Sequence, residues 1–198
     1  MSAASDLIEI RRSRALIGGG CPGPQGPQGP QGPGVAPLYS SFLSITNQST
    51  VAIDDNPNSV AITYDSRTIG TINVSGGTFP NSVIVIPIAG TYRVCFSAQC
   101  DSTGGTHVIE IFPVINGTSV PVSNTRLRLN DGTETCLTVE YFLSFNANDT
   151  LQLRMTGDTT PGASNARLLY LPSVAAIPSG AALIPAIPSI ILTIQRIE

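Results

Sequence analysis

The sequence predicts an all-β protein: a two-sheet jelly-roll sandwich preceded by a short collagen-like triple-helical neck. Runs rich in Val, Ile, Thr, Phe and Tyr alternate with polar residues, as in strands that bury one face. Turn sequences such as SGG, NDG and TGDTTPG recur between these runs. No segment combines a helical apolar period with capping residues, so we expect almost no helix and about eight to ten short strands.

The composition excludes several classes of function. Charged residues make up 12% and hydrophobic residues 41% of the 198 residues. A mean hydropathy of +0.20 argues against disorder for most of the chain. The net charge of −3 argues against a nucleic-acid partner. All ten basic residues are arginine, and the chain has one histidine, so few side chains remain for catalysis or metal binding.

No targeting or membrane segment is predicted. The N-terminal arginines follow the apolar residues, whereas a secretory signal places its basic residues first. The apolar stretch near the C-terminus is interrupted by Pro172, Pro178, Pro185 and Pro188. Four prolines would break a spanning helix, so we expect no membrane span.

The chain divides into an N-terminal anchoring peptide with a glycine hinge at 1–19, a collagen-like neck at 20–34 and a jelly-roll head at 35–198. Only glycine fits where three polyproline-II chains meet at one axis. The neck has glycine at every third position, at Gly20, Gly23, Gly26, Gly29 and Gly32. As a triple helix it would span about 45 Å. The alternative is a stiff Pro/Gly linker that joins no other chain.

Three strands of the head show which side chains face the core. At 90–100, the side chains on one face are Tyr92, Val94, Phe96 and Ala98, and Cys95 lies on the other. At 136–145, Cys136 and Phe142 lie on the face opposite the apolar one. The last strand, at 189–197, is apolar on both faces, which indicates a central strand covered on both sides. We expect further strands near 38–46, 59–64, 68–74, 82–88, 107–115, 118–128, 149–156 and 166–171.

Four segments carry a resemblance to a known family: VIPIAGTYRVCFSA, IFPVINGTSVP, LTVEYFLSFNANDTLQLRM and SIILTIQRI. In their order and spacing, residues 38–198 resemble the tumour-necrosis-factor-like and complement-q-like trimeric jelly rolls. With its glycine triplets the chain also resembles collagen-stalked surface proteins of bacterial spores (exosporium) and large DNA viruses. The resemblance implies a homotrimer in which one sheet faces the threefold axis, with the strands at 91–100, 136–145 and 189–197 adjacent in that sheet.

The trimer implied by this resemblance assigns interface residues. Phe142, Ile191 and Ile197 point away from the core on strands that would face the axis, and Cys95 and Cys136 lie on the same face. The alternative is that these apolar side chains are buried under a loop of their own chain.

The four cysteines have separate expectations. Cys95 and Cys100 cannot pair within an extended strand, because five residues span about 16 Å and a disulfide needs Cα atoms about 6 Å apart. The resemblance makes the strands of Cys95 and Cys136 neighbours, so these two could be close, either bonded or as free thiols. Cys21 lies in the first collagen triplet and could form bonds between chains. The alternative is that all four are free thiols.

The sequence gives no support for an enzyme, a metal or a cofactor. It contains no G-x-S-x-G motif, and the one imidazole, His107, starts a predicted strand. Asp54–Asp55 and the turn Asn130-Asp131-Gly132 could bind calcium, but acidic turns are common without it. The sequons at Asn47, Asn73, Asn116 and Asn148 are interpreted as turn residues.

The N-terminal peptide suggests how a trimer could be attached. Its short β-prone stretch contains Leu7, Ile8, Ile10, Leu16 and Ile17 and is joined to the neck by three glycines. An extended peptide beside a flexible hinge could add a strand to another sheet. We therefore expect a non-enzymatic homotrimer on the surface of a virion or spore, anchored to neighbouring subunits or chained head to tail into a fibre or shell. The alternatives are a disordered tail and a secreted recognition or signalling ligand.

Overall fold

A computed structural model describes residues 38–49, 59–157, 166–173 and 185–198. The anchoring peptide, the collagen-like neck, Cys21 and Asp54–Asp55 lie outside the described residues. The described part contains a single 3₁₀ turn at Ser75–Gly77 and no longer helix, so the all-β prediction is confirmed. None of its helices is long and apolar enough to cross a membrane.

The strands of the described part are β1 Tyr39–Ser44, β2 Gln48–Ser49, β3 Val60–Ala61, β4 Ser66–Gly70, β5 Asn73–Val74, β6 Ile84–Val85, β7 Gly90–Ser102, β8 His107–Ile115, β9 Thr118–Ser119, β10 Thr125–Leu129, β11 Thr135–Phe145, β12 Thr150–Gly157, β13 Ala166–Leu168 and β14 Ile190–Arg196.

The strands form two antiparallel sheets. In the first sheet the order is β4-β1-β14-β7-β11. Strand β13 pairs with the far end of β7, and β2 pairs with β13. In the second sheet the order is β5-β6-β12-β8-β10, with β3 beside β12 and β9 beside β8.

This strand order is that of a jelly roll. When β1, β6, β7, β8, β10, β11, β12 and β14 are counted one to eight in chain order, the first sheet contains 1-8-3-6 and the second contains 2-7-4-5. The first and last strands are neighbours, and the chain changes sheet at most of its connections. Such a double Greek key buries one face of each sheet against the other. The predicted two-sheet jelly-roll sandwich is therefore confirmed by the pairing itself.

The core lies between the two sheets and is built from the predicted alternation. Tyr92, Val94, Phe96 and Ala98 of β7 are fully buried, as predicted from their shared face. The ring of Tyr92 meets Phe145 edge-on, with ring centroids 5.5 Å apart. The side chains that fill the space from β14 are Ile190, Leu192 and Ile194.

Two predicted strands are divided in the structure, each at a point where the backbone has a positive φ. The run at 118–128 forms β9 and β10, separated by a turn in which Val122 has a φ of 58°. The run at 68–74 forms β4 and β5, which belong to different sheets. Gly70 has a φ of +112° there, and a Cβ on it would lie 2.0 Å from the carbonyl oxygen of Tyr39. Alternation along the sequence cannot reveal that the chain leaves one sheet for the other.

Asn116, which the sequence analysis interprets as a turn residue, lies in an Asn-Gly hairpin turn between β8 and β9. Asn116 and Gly117 have φ values of 50° and 79°, the pair of positive angles that a tight hairpin turn requires. The side chain of Asn116 accepts a bond from the Thr150 amide (2.8 Å) and donates to Asp149 (2.7 Å). The bond from Asn116, together with a bond from the Asn146 amide (2.7 Å), holds the pKa of Asp149 below its ordinary value.

Candidate functional site: the open face of the first sheet

Strands β11, β7 and β14 lie side by side and present one face away from the core. Strand β7 is in the middle, paired with β11 over Gly90–Cys100 and with β14 over Tyr92–Ala98. The expectation that the strands at 91–100, 136–145 and 189–197 are adjacent is therefore confirmed. Partners directly opposite each other share a face, so the outward residue Cys95 lies between Glu140 of β11 and Thr193 of β14.

The three apolar residues assigned to an interface are exposed in the single chain. Phe142 is 62% exposed, Ile191 40% and Ile197 48%. A loop of the described part therefore does not bury them, which was the alternative expectation. The outward side of the final strand is open rather than covered, since only its inward residues are buried. Whether another subunit covers these side chains remains a prediction.

Two further apolar residues of this face were not identified from the sequence. Tyr39 of β1 is directly opposite Gln195, and Ile69 of β4 is directly opposite Ser41. Tyr39 is 36% exposed and Ile69 is 56% exposed. The alternation of Tyr39, Ser41 and Leu43 was a signal that could have placed β1 on this face. Pairing extends the apolar part of the face across four strands.

The charges at the centre of the face cancel. The Arg93 Nε donates to Glu140 Oε2 at 2.7 Å, and the two groups form an ion pair. The hydrogen bond that Arg93 donates to Glu140, and the negative charge of that carboxylate, raise the pKa of Arg93. At the far end of β7, Arg167 donates two bonds to one oxygen of Asp101, at 3.0 and 2.7 Å. Paired charges of this kind can be covered by another protein surface at lower cost than single ones.

The structure corrects the expectation for Cys95 and Cys136. Cys95 is opposite Glu140 and Cys136 is opposite Gln99, so the two are four residues apart along the sheet, about 13 Å. They share a face but cannot bond within one chain. All three described cysteines are free. The third, Cys100, lies in the core, where burial raises the pKa of its thiol to about 12.

The middle of the face has a shallow depression. It is lined by Arg93, Cys95, Thr193 and Gln195 and has a volume of about 170 Å³. Beside it, Ser97 and Cys136 are in hydrogen-bond contact at 3.1 Å, and Thr138 donates to Ser97 at 3.3 Å. These small polar groups are partly satisfied by one another, so the face combines apolar edges with a neutral, self-bonded centre.

Of the residues considered for catalysis or metal binding, those that the structure describes do not assemble into a site. His107 is buried at the start of β8. Asp131 accepts a bond from the Gly104 amide (2.8 Å) and so connects its own turn to the turn between β7 and β8. Within the described ranges, no three side chains among His, Cys, Asp and Glu are close enough to hold a metal ion.

No protein-family model and no curated protein matches this sequence. Among solved structures, the globular domain of zebrafish complement 1qA protein is similar to this chain, with a TM-score of 0.44 and 9% sequence identity. The match covers 82% of this chain and 98% of that chain. The assignment of the head as a jelly roll rests on its own strand order.

Proposed function

We propose that the chain is a non-enzymatic structural subunit that forms a homotrimer, with the open face of the first sheet turned toward the threefold axis. The observation that carries this proposal is the group of apolar side chains on that face. Phe142, Ile191 and Ile197 are joined there by Tyr39 and Ile69 on neighbouring strands. Several large apolar side chains exposed on one face are typical of a surface that another protein covers.

The glycine triplets favour three copies over two. A run with Gly20, Gly23 and Gly26 at the spacing of collagen forms an ordered helix only when three chains wind together. A five-triplet neck is short, so the contacts between heads would have to hold the three chains in register. The sheet face therefore supports association of the heads, and the neck supports three copies as the number that associates.

We further propose that the trimer belongs to the surface of a virion or spore. In this proposal residues 1–19 attach it to a neighbouring subunit, either in an underlying shell or in the next trimer of a fibre. The β-prone stretch around Leu7, Ile8 and Ile10 could add to an exposed sheet edge. The glycine hinge would give this peptide the freedom to reach that edge.

Sedimentation equilibrium of the full chain tests the trimer. We expect the mass of three chains of 20.6 kDa at micromolar concentration. A monomer at that concentration would contradict the proposal.

Deleting residues 2–17 tests the anchoring peptide separately. The truncated chain should still be a trimer but should no longer be found on purified particles or in fibres, and unchanged incorporation would contradict this role.

A secreted recognition or signalling ligand is the second candidate. The open face of the second sheet favours it, because three arginines on that face, Arg126, Arg128 and Arg154, would remain available to a partner when the first sheet is covered. Detection of the protein by mass spectrometry in purified virions or spores would support the structural role. Its presence only in the surrounding medium would support the ligand.

A further inference from the structure

The open face of the second sheet contains a groove that the trimer does not use. Its polar part has a volume of about 390 Å³ and is lined by Ser59, Val114, Gly117, Ser119, Gln152 and Arg154. An apolar part of about 220 Å³ adjoins it and is lined by Phe112, Ser119, Val120, Val122 and Asn124. Ser119 borders both parts, so the two depressions are neighbours on this face, and we call the pair the Arg154 groove.

The guanidinium of Arg154 is held in place by the chain itself. Its Nε donates to Ser59 Oγ at 2.7 Å, and its Nη2 donates to the carbonyl oxygen of Ser59. These bonds use two of the five N–H donors of the group. In the part of the chain that the structure describes, Arg154 forms no ion pair. The groove therefore contains a preoriented cation whose charge is not neutralised by a described carboxylate.

The surrounding face has an excess of positive charge. Arg126 and Arg128 point outward from β10, and Arg154 points outward from β12. The acidic residue among them is Glu110, which lies 3.6 Å from Arg126 and accepts a bond from Asn124 at 2.6 Å. Three arginines with one glutamate attract an anion, although the whole chain is negatively charged.

The rest of the lining is typical of a surface that contacts a sugar ring. Ser59, Ser119 and the amide of Gln152 can exchange hydrogen bonds with hydroxyl groups. Gln152 is already oriented by a bond from its Nε2 to Ser82 Oγ at 3.2 Å. Phe112 and the valines next to it provide an apolar surface for the less polar face of a ring. A pocket with a few convergent polar groups and an apolar wall is the usual form of a small-ligand site.

The apolar wall includes a strained residue. Val122 is fully exposed and has a φ of 58°, a left-handed conformation that a β-branched residue rarely adopts. Two hydrogen bonds hold the turn: Ser123 Oγ donates to the Val120 carbonyl at 2.7 Å, and Tyr141 donates to the Ser123 carbonyl at 2.8 Å. Strain that the surrounding structure maintains is found most often at functional sites.

We propose that the Arg154 groove binds an acidic saccharide, with a carboxylate of the sugar on Arg154 and a ring face against Phe112 and Val122. A carboxylate matches the planar fork of a guanidinium group, and it would accept from two of the three N–H donors of Arg154 that Ser59 leaves unused. In a trimer the three grooves would face outward, so a polymer with repeated acidic units would bind with avidity.

Calorimetric titration of the full chain with trigalacturonate and 3′-sialyllactose tests this proposal, with lactose as the neutral probe. We expect at least one acidic probe to bind and lactose to bind at least about tenfold more weakly.

Arg154→Gln should weaken binding of the acidic probe by about tenfold or more. Arg128→Gln, a matched loss of charge on the same face outside the groove, should change the affinity by less than about threefold at 0.15 M salt.

Ser119→Phe keeps Arg154 and Ser59 in place and fills the junction of the two parts, so it should also abolish binding. This variant protects the test if Arg154→Gln fails to fold. Binding of neither acid, equal binding of lactose, or full affinity in both groove variants would overturn the proposal. Tighter binding of a sulfated trisaccharide than of either carboxylated probe would overturn the assignment of a carboxylate. Sedimentation of each variant reports the trimer separately, so failure of the groove and failure of the trimer are distinguishable.

Discussion

The two open faces of the sandwich differ although both come from strands that alternate in the same way. The face of the first sheet carries exposed apolar side chains, among them Phe142 and Ile191, around an ion pair that is closed on itself. The face of the second sheet carries three arginines and one glutamate around a groove. The inward residues of both sheets are mainly apolar because they pack in the same core. Outward residues differ because each face has its own surroundings.

The comparison indicates that the two faces are suited to different functions. A neutral face with apolar edges loses little free energy of hydration when another protein covers it. A charged face is stabilised by water or by an ion of opposite sign, so covering it costs more. We therefore assign assembly to the first sheet and ligand contact to the second. Substitutions placed in matched pairs on the two faces can test this assignment.

The largest expected effect is on assembly through Phe142. Phe142→Glu would place an unpaired charge in the proposed interface, and we expect the trimer dissociation constant to rise by roughly 100-fold or more, which leaves a monomer at micromolar concentration. Arg128→Glu, a new negative charge on the other face, should leave a trimer. Sedimentation equilibrium measures both. A trimer in Phe142→Glu would break the proposed difference between the faces.

A smaller effect is expected from the ion pair. Glu140→Gln keeps the shape of the side chain but leaves Arg93 without its counter-charge, and covering that charge should weaken the trimer by about tenfold. Arg126→Gln removes the charge partner of Glu110 on the second sheet, where the pair stays in water, and should not change the mass. Dilution series followed by mass photometry compare the two variants. Equal effects of the two substitutions on trimer dissociation would mean that the face of the first sheet also stays exposed to water.

Thiol labelling sharpens the comparison within the first sheet. Cys136 and Cys95 are on the open face, so we expect N-ethylmaleimide to modify both at least about tenfold more slowly in the trimer than in monomeric Phe142→Glu. Cys100 should resist modification in both states, because it is buried and its pKa is raised to about 12. Intact-protein mass spectrometry counts the labels. Equal rates for the open-face thiols would contradict an interface there.

The smallest effect is expected at Asp149, which lies in a turn between the sheets and on neither face. Hydrogen bonds from Asn116 and Asn146 lower the pKa of its carboxyl in the folded state. The stability that it contributes is therefore present above the unfolded pKa of about 3.9 and is lost as the pH falls through the folded value. Asp149→Asn should unfold at slightly lower urea than the natural chain at pH 7, and the two midpoints should converge as the pH falls below the folded pKa of Asp149. Parallel midpoints at all pH values would contradict this account.

The regular strands could be predicted from the sequence, and the corners between the sheets could not. Alternation identified β7, β11 and β14 and the inward side chains of each, because a strand that buries one face must repeat every second residue. The breaks at Gly70 and Val122 were missed, although the apolar alternation changes phase at both. Ile69 and Ile72 are three residues apart, and Val122 and Leu127 are five residues apart. Tyr39 and Ile69 were missed as members of the open face because their position depends on which strands pair.

The sequence by itself determined the class of fold, the composition of the core and the identity of the outward residues on each strand, because these follow from local periodicity. Only the tertiary structure decided which outward residues meet. Glu140 reaches Arg93 across 47 positions of the chain, and Arg154 reaches Ser59 across 95. It also separated Cys95 from Cys136, which share a face and adjacent strands but not a register. Pairing register is set by the packing of the whole sandwich, and no single strand contains it.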